Sequence, residues 1–506
     1  MKRLVLPLTL ALLAGASPAA RALDLAAFEK RVTVKVLANG LTVIVCERPQ
    51  APVFSYLTLV DVGGDREVPG ITGLAHMFEH MAFKGTDTIG TTDYAAEKAA
   101  LQRVEAAYEA YDAERRKPVG RDDARLAALQ KAWHEAVAAA DAFVVKNAFG
   151  EIVEREGGLG LNAFTSSETT GYLFSMPVNR LELWAYLESE RFLKPVLREF
   201  YKERDVVMEE RRMRTDSSPF GRLIEQFLAA AFTAHTYGQP VIGWPSDLES
   251  FSATDAQAFY DRYYVPANMI VAVVGDVKAA AVLPLIERYF GRLPTRPKAD
   301  AVRTEEPPQR SERTVVLREA AQPIYMEAYK RPAGTHPDGA VYEVLDDLLT
   351  AGRTSRLFRA LVRDKKIAAE VGGSSEFPGS KYPTLFWLYA IPTPGHTADE
   401  LRDAIRAELA RIRDEDVSDQ ELRMVKTRAK ANLIRRLDNN HGLAFALAFA
   451  QAQFGDWRAF FRRVERVEKV TKQDLRRVAA ATFVPSTRTV GILETAQPAA
   501  AAKGGQ

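Results

Sequence analysis

The chain has one cysteine, Cys46, in 506 residues. It therefore forms no internal disulfide, even in an oxidising compartment, and its apolar surroundings (LTVIVCE) place it in a core strand. An excess of charge is missing too. The 68 Lys and Arg residues against 66 Asp and Glu leave a formal +2, so no polyanionic partner is implied and no nucleic-acid footprint stands out. Long apolar runs are absent from the body of the chain, where no segment suffices to span a bilayer. The first residues differ. Lys2 and Arg3 precede an apolar run over residues 4–14, and Ala20-Arg21-Ala22 offers small residues where a signal peptidase reads. Residues 1–22 are expected to be a cleaved secretory signal, for a periplasmic or extracellular protein. A membrane anchor would need ~20 apolar residues. No cysteine follows the cleavage site to carry a lipid.

What is present suits an ordinary globular protein: 47% hydrophobic and 26% charged residues, in a length that accommodates two or more domains. Residues 31–48 show two alternating runs joined by Ala38-Asn39-Gly40, a β-hairpin signal, and residues 52–62 read as a further strand. Long Ala, Glu, Lys and Arg runs from 95 to 154 break at Lys117-Pro118-Val119-Gly120. They read as a helical hairpin inserted at about 100–155, its charges forming a solvated face or a docking arm. Strand character returns at 160–175, an amphipathic helix carries Leu181, Trp184, Leu187 and Phe192, and residues 259–277 read as a helix end, a proline turn and an apolar strand.

Residues 294–313, rich in Pro and charge, read as a linker between domains at 23–293 and 314–495, with a disordered tail at 496–506. The second half echoes the first. Strands are expected within 314–331 and a helix at 339–349, and Phe483-Val484-Pro485 before TVGIL repeats Tyr264-Val265-Pro266 before MIVAVVG. This is an internal duplication.

The chemistry concentrates in GLAHMFEHMAFKGT, residues 73–86. His76 and His80 lie four apart with Glu79 between them, in an apolar segment that reads as a buried helix. Positions i, i+3 and i+4 share one helical face. Two neutral imidazoles so placed can hold one zinc ion at ~2.0–2.1 Å, with the carboxylate beside them in reach of a water there. HxxEH is the inverted zincin pattern. The corresponding second-half helix, VYEVLDDLL, has no histidine, so one half alone could bind zinc in this way. The other histidines lack ligand spacing.

A second stretch, ERDVVMEERRM (residues 203–213), puts Glu203 and Glu210 seven apart, on the face of Val206 and Val207, with Glu209 turned away. A carboxylate on an apolar face is costly without a cationic partner. A metal ion would be such a partner.

With these motifs, the chain resembles the pitrilysin/insulinase family of zinc metallopeptidases, which includes the mitochondrial processing peptidase. The likeness runs from about 32 to 493 and includes GLNAFTS, ERDVVMEE, HTYGQPVIG, YYVPANMIVAVVGDV and GRTSRLFRALVRDKK. It implies two homologous α+β domains, each an antiparallel sheet covered by helices. It implies one zinc on His76, His80 and Glu210, Glu79 as general base, and Glu203 as the carboxylate orienting a ligand histidine. Asn162, Ala163 and Thr165 match the edge strand on which an extended peptide substrate adds. A homodimer or heterodimer with a second family member is implied, since the family encloses its chamber with four such domains.

Two departures stand out. The interval from His80 to Glu210 is roughly fifty residues longer than usual in the family, and the helical insertion accounts for the excess. Of the Arg and Tyr, seven apart, that the family's second half commonly contributes, Arg363 matches while the tyrosine's place falls at Glu370. A partner subunit bringing the missing pair is one reading, and a non-catalytic assembly subunit is another. Loss of the inverted motif, usual in such subunits, is not seen here.

Overall fold

The computed structural model describes residues 25–496. The expected signal and nearly all of the expected tail lie outside the described residues. Among the described residues, eleven strands form two sheets. The first contains β1 (Val32–Val36), β2 (Thr42–Glu47), β3 (Val53–Val60), β4 (Leu159–Thr165), β5 (Thr170–Pro177) and β6 (Met269–Gly275), in the order β1-β2-β6-β3-β5-β4. The second contains β7 (Arg313–Glu319), β8 (Ile324–Arg331), β9 (Ala368–Phe377), β10 (Thr384–Pro392) and β11 (Arg488–Thr495), in the order β7-β11-β8-β10-β9. With β1 set aside, the two orders match strand for strand. The duplication read from weak sequence echoes is thus a duplication of topology.

Both sheets are antiparallel except at one place. β2 runs parallel to β6, and β7 parallel to β11. β6 and β11 arrive after long helical excursions, so each can lie parallel to one neighbour and antiparallel to the other.

Each sheet is apolar on both faces, and the two faces are covered differently. In β3, Phe54 and Tyr56 point into the core of their own half. Leu57 and Leu59 point the other way, onto Leu443, Leu447 and Trp457 contributed by the second half. Cys46 lies fully buried in this same layer. The second sheet mirrors this: Tyr325 and Tyr329 face their own helices, while Met326 and Ala328 pack against Leu223, Phe227 and Ala231 of the first-half helix Pro219–Ala231. Each half therefore lends a helix to cover the other's sheet.

The segment between the sheets has no regular structure from 294 to 312, but it is fastened. The Glu306 carboxylate accepts N–H bonds from Thr233, Ala234 and His235, each at 3.0 Å. The turn between β4 and β5 is tied across as well, Glu168 accepting the N–H groups of Ser380 and Lys381 at 2.6 Å.

The inserted hairpin consists of the helices Tyr94–Arg115 and Asp123–Asp141, started by Asp93 and Asp122 side chains that accept backbone N–H bonds. Tyr111 stacks on Trp133 at 5.4 Å, and Tyr108 and Trp133 pack on Tyr201. The helix Ala148–Arg155 is a separate element, so the hairpin ends nearer 141 than 155.

Candidate metal centre

The helix Leu74–Met81 starts at Gly73, whose φ of 96° is left-handed. A Cβ there would meet the Ile242 carbonyl oxygen at 2.7 Å, so glycine is required on two counts. Helix starts leave N–H groups unpaired. Here the buried Glu67 carboxylate takes two of them, from Gly73 at 2.8 Å and Ala75 at 2.7 Å. Burial, opposed by these two bonds, pushes the Glu67 carboxyl up to about 8. Asp247 fixes the approach by accepting from the N–H of Gly70 and from the hydroxyl of Thr72. The histidine helix is thus held at its start by two acids that no spacing pattern pointed to.

The helix Phe200–Arg211 packs beside it and brings Glu203 and Glu210 to the histidines. His76 Nε2 lies 3.7 Å from Glu210 Oε1, and His80 Nε2 lies 3.4 Å from Glu210 Oε2. One ligand atom each from His76, His80 and Glu210 falls within a 4.8 Å span. Among the described residues this is the one such cluster. Val207 is fully buried as expected, but Val206 is 49% exposed. The buried face runs through 203, 207 and 210, and position 206 turns out of it.

The protonation states suit a cation. Burial drives the His76 imidazole down to about 3, so it is neutral with a free lone pair. Its Nδ1 is buried and without a partner. Burial lowers His80 as well, but the hydrogen bond to Glu203 and the charges of Glu203, Glu210 and Glu79 outweigh it and raise its pKa. His80 Nδ1–H donates to Glu203 Oε2 at 3.2 Å, which leaves Nε2 facing Glu210. Glu203 also receives Lys84, whose ammonium pairs with Glu199 at 3.1 Å. Although burial works to raise it, Glu203 is held below the ordinary carboxylate range by the hydrogen bonds from His80 and Lys84. Two histidines and a carboxylate with one position left open are the donor set of a catalytic zinc site.

Glu79 stands on the same helical face. Burial raises its pKa, and the hydroxyl of Thr165 on β4 opposes this by donating to Oε2 at 2.7 Å. Asn162 and Ala163 line a cleft of about 350 Å³ together with Glu79, His80, Phe83 and Lys84. β4 pairs only with β5, so its outer edge is the free edge of the sheet.

Arg363 is not brought into this arrangement. It is exposed on the short π-helix Phe358–Asp364, bonded to its neighbour Asp364 at 2.6 Å. Glu370, on β9, receives the hydroxyl of Tyr389 at 2.5 Å. Arg214, which the motif reading passed over, pairs with Glu210 Oε1 at 2.7 Å from the turn after the carboxylate helix. The signal for Lys84 was its place four residues after His80, on the continuation of the ligand face.

Comparison with known proteins accords with this geometry. A family model described as "Insulinase (Peptidase family M16)" matches residues 42–112, and one described as "Peptidase M16 inactive domain" matches residues 250–429. The zinc protease PqqE of Helicobacter pylori is 29% identical over 418 residues, covering 81% of this chain and 80% of that protein. The crystal structure of a protease from Helicobacter pylori superposes with a TM-score of 0.77 at 28% identity, over 92% of this chain and 99% of that one. The chain belongs to the pitrilysin/insulinase family. Two further likenesses are weaker. An uncharacterised zinc protease of Mycobacterium leprae is 26% identical over 88% of this chain and 87% of its own. The periplasmic protease PqqL of Escherichia coli shares the fold at 19% identity and a TM-score of 0.68, with this chain covering 47% of its length. In this pitrilysin/insulinase chain the "inactive domain" match spans much of the half that lacks the histidine pair.

Proposed function

We propose that this chain is an exported zinc-dependent endopeptidase that hydrolyses peptides or unfolded segments. The observation that carries the reading is the convergence of His76, His80 and Glu210 within 4.8 Å, with Glu79 beside them and hydrogen-bonded to the edge strand. His76, His80 and Glu210 would hold the ion. When bound, zinc supplies a Lewis acid that acidifies water and polarises a carbonyl.

The protein's own groups do the rest. An extended substrate adds to the free edge of β4 through main-chain hydrogen bonds, which read backbone more than side chains. Glu79, ionised, takes a proton from water and later gives it to the leaving amine. Thr165 fixes the rotamer of Glu79 and keeps its carboxylate ionisable despite burial. Glu203 keeps the Nδ1 proton of His80 in place, so that Nε2 is the ligand atom. Lys84 neutralises the charge this concentrates.

A second reading has its own support. Arg363 is exposed beside Asp364, and Glu370 stands where a tyrosine is expected and accepts from Tyr389, so the second half of this chain does not present the expected arginine and tyrosine pair. In that reading the chain is the zinc-bearing subunit of a dimer or heterodimer whose partner completes the site. A fold neighbour about twice as long, PqqL, fits the pairing of two such chains. Export is supported by the signal-like N-terminus; among the described residues no helix is long and apolar enough to cross a membrane. A non-catalytic assembly role is disfavoured by the complete donor set.

The test is hydrolysis of an unfolded protein by the purified chain, before and after chelation and zinc return. Activity removed by chelator and restored by zinc is expected. Cleavage insensitive to metal removal would overturn the reading.

A further inference from the structure

Thr165, whose hydroxyl holds Glu79, is the last residue of β4, and a short turn carries the chain on to β5. The turn is stiff. Its Ser166 hydroxyl accepts the N–H groups of Glu168 at 3.2 Å and Thr169 at 3.0 Å, and the Ser166 N–H donates to the Thr169 carbonyl at 2.9 Å. Local bonds of this kind leave a turn little freedom, so a displacement at Glu168 reaches Thr165. One side of the turn lies against the segment that leads to the histidine helix. There the Gly64 N–H donates to the Ser166 carbonyl at 3.3 Å and the Asp65 N–H to the Ser167 carbonyl at 2.7 Å. A Cβ at Gly63 would stand 2.3 Å from the Ser166 carbonyl oxygen, so backbone meets backbone there.

The other side of the turn is held by the second half, which lacks the HxxEH pattern. Its loop from β9 to β10 presents the N–H groups of Ser380 and Lys381, both 2.6 Å from Glu168 Oε1, and the Tyr237 hydroxyl donates to the same oxygen. Hydrogen bonds to a carboxylate are roughly twice as strong as neutral ones. A side chain at Gly379 would break this arrangement, its Cβ falling 2.4 Å from Glu168 Oε1 and 2.7 Å from the Tyr237 oxygen. The same loop reaches the first half again through Lys381, whose ammonium donates to Asp61, the residue after β3, at 2.6 Å. One loop of the second half thus grips both the strand that bears Thr165 and the segment that leads to the histidine helix.

We infer that Glu168 is a positioning residue for the general base: the second half, through its loop 379–381, holds the turn 166–169 so that Thr165 meets Glu79. The inference rests on the peptidase reading, and it gives the half without metal ligands a part in the proton transfer. A role confined to adhesion between the halves would leave turnover indifferent to Glu168 once the chain is folded.

The experiment has two arms, so that the inference and the peptidase reading can fail apart. In the first, hydrogen exchange of the purified, zinc-loaded chain is followed by mass spectrometry. Glu168→Ala and Gly379→Val should each raise exchange in the peptide spanning β4 and its turn by about tenfold or more, with no change in the helical insertion. Unchanged protection of β4 in both variants overturns the inference, whether or not the chain cleaves peptides. In the second arm, kcat on a quenched peptide is measured at full zinc content. Glu168→Ala should lower it about tenfold, while Glu168→Gln, which keeps an oxygen acceptor, recovers most of the loss. In a Thr165→Val background Glu168→Ala should cost less than about twofold more, because the contact it acts through is already cut. Equal losses in the two backgrounds, or a kcat unmoved by Glu168→Ala, overturn the inference. Failure of the peptidase reading would appear separately, as a zinc-loaded parent chain that shows the exchange effect and cleaves nothing.

Discussion

Thr165 Oγ1, on the edge strand, donates a 2.7 Å hydrogen bond to Oε2 of Glu79, on the metal helix. In the proposed mechanism this one contact couples the strand that would receive substrate to the group that would move the proton. Burial raises the Glu79 pKa and this bond lowers it. The base works only when ionised, so its pKa sets the acid limb of the rate profile. Thr165→Val removes the lowering contact, and the acid limb of kcat/KM should move to higher pH. An unmoved acid limb would show that Thr165 does not tune Glu79.

Glu203 acts through His80. Replacing it by Gln removes the charge that holds the Nδ1 proton and leaves Lys84 with Glu199 alone. Groups in this position typically contribute 10–100-fold to metal affinity. Zinc affinity of Glu203→Gln, read by competition with a chromophoric chelator, should fall by about that range while one ion still binds at saturation. Unchanged affinity would mean that the His80 contact is incidental.

How much of this was legible in the sequence depended on range. Spacing alone puts His76, Glu79 and His80 on one helical face, and the seven-residue interval brings Glu203 and Glu210 to a common face. What periodicity cannot show is which surface an apolar face meets. Leu57 and Leu59 read as buried, but nothing local says that the covering helix, Asn440–Phe454, lies nearly four hundred residues on. The same limit hid Glu67, whose partners are main-chain N–H groups that any sequence would offer. Val206 was misplaced for a simpler reason: on a partly solvated helix, one step of about 100° separates the buried stripe from solvent.

Asp65 illustrates a cost the sequence did not signal. It is 1% exposed, neither carboxylate oxygen has a hydrogen-bond partner, and the nearest cation, Arg66, is 3.6 Å away. Burial pushes its carboxyl up to about 7. The folded state thus holds a proton that the unfolded state releases near the ordinary value of 3.8. Stability from this group is full below that value and is lost as pH rises to about 7. Asp65→Asn should flatten the decline and exceed the parent chain in stability at pH 8 by on the order of 2 kcal/mol. An equal loss of unfolding free energy between pH 5 and pH 8 in the variant and the parent, measured by denaturant unfolding, would contradict this.

The exchanged helices make the halves interdependent. Expressed alone, residues 23–293 lose the cover of Leu443, Leu447 and Trp457, and residues 314–495 lose that of Phe227 and Leu223. Each half alone should aggregate, and the two co-expressed should purify as a soluble pair. A soluble, monomeric first half would show that the swapped cover is dispensable.

The most direct test of the central claim is the hydrolysis of a quenched peptide library by the purified chain and by its Glu79→Gln variant, with zinc measured in both. The account predicts one zinc per chain in each and a rate lower by about 10²–10⁴-fold in the variant. Equal cleavage by the two proteins at equal zinc content would contradict it.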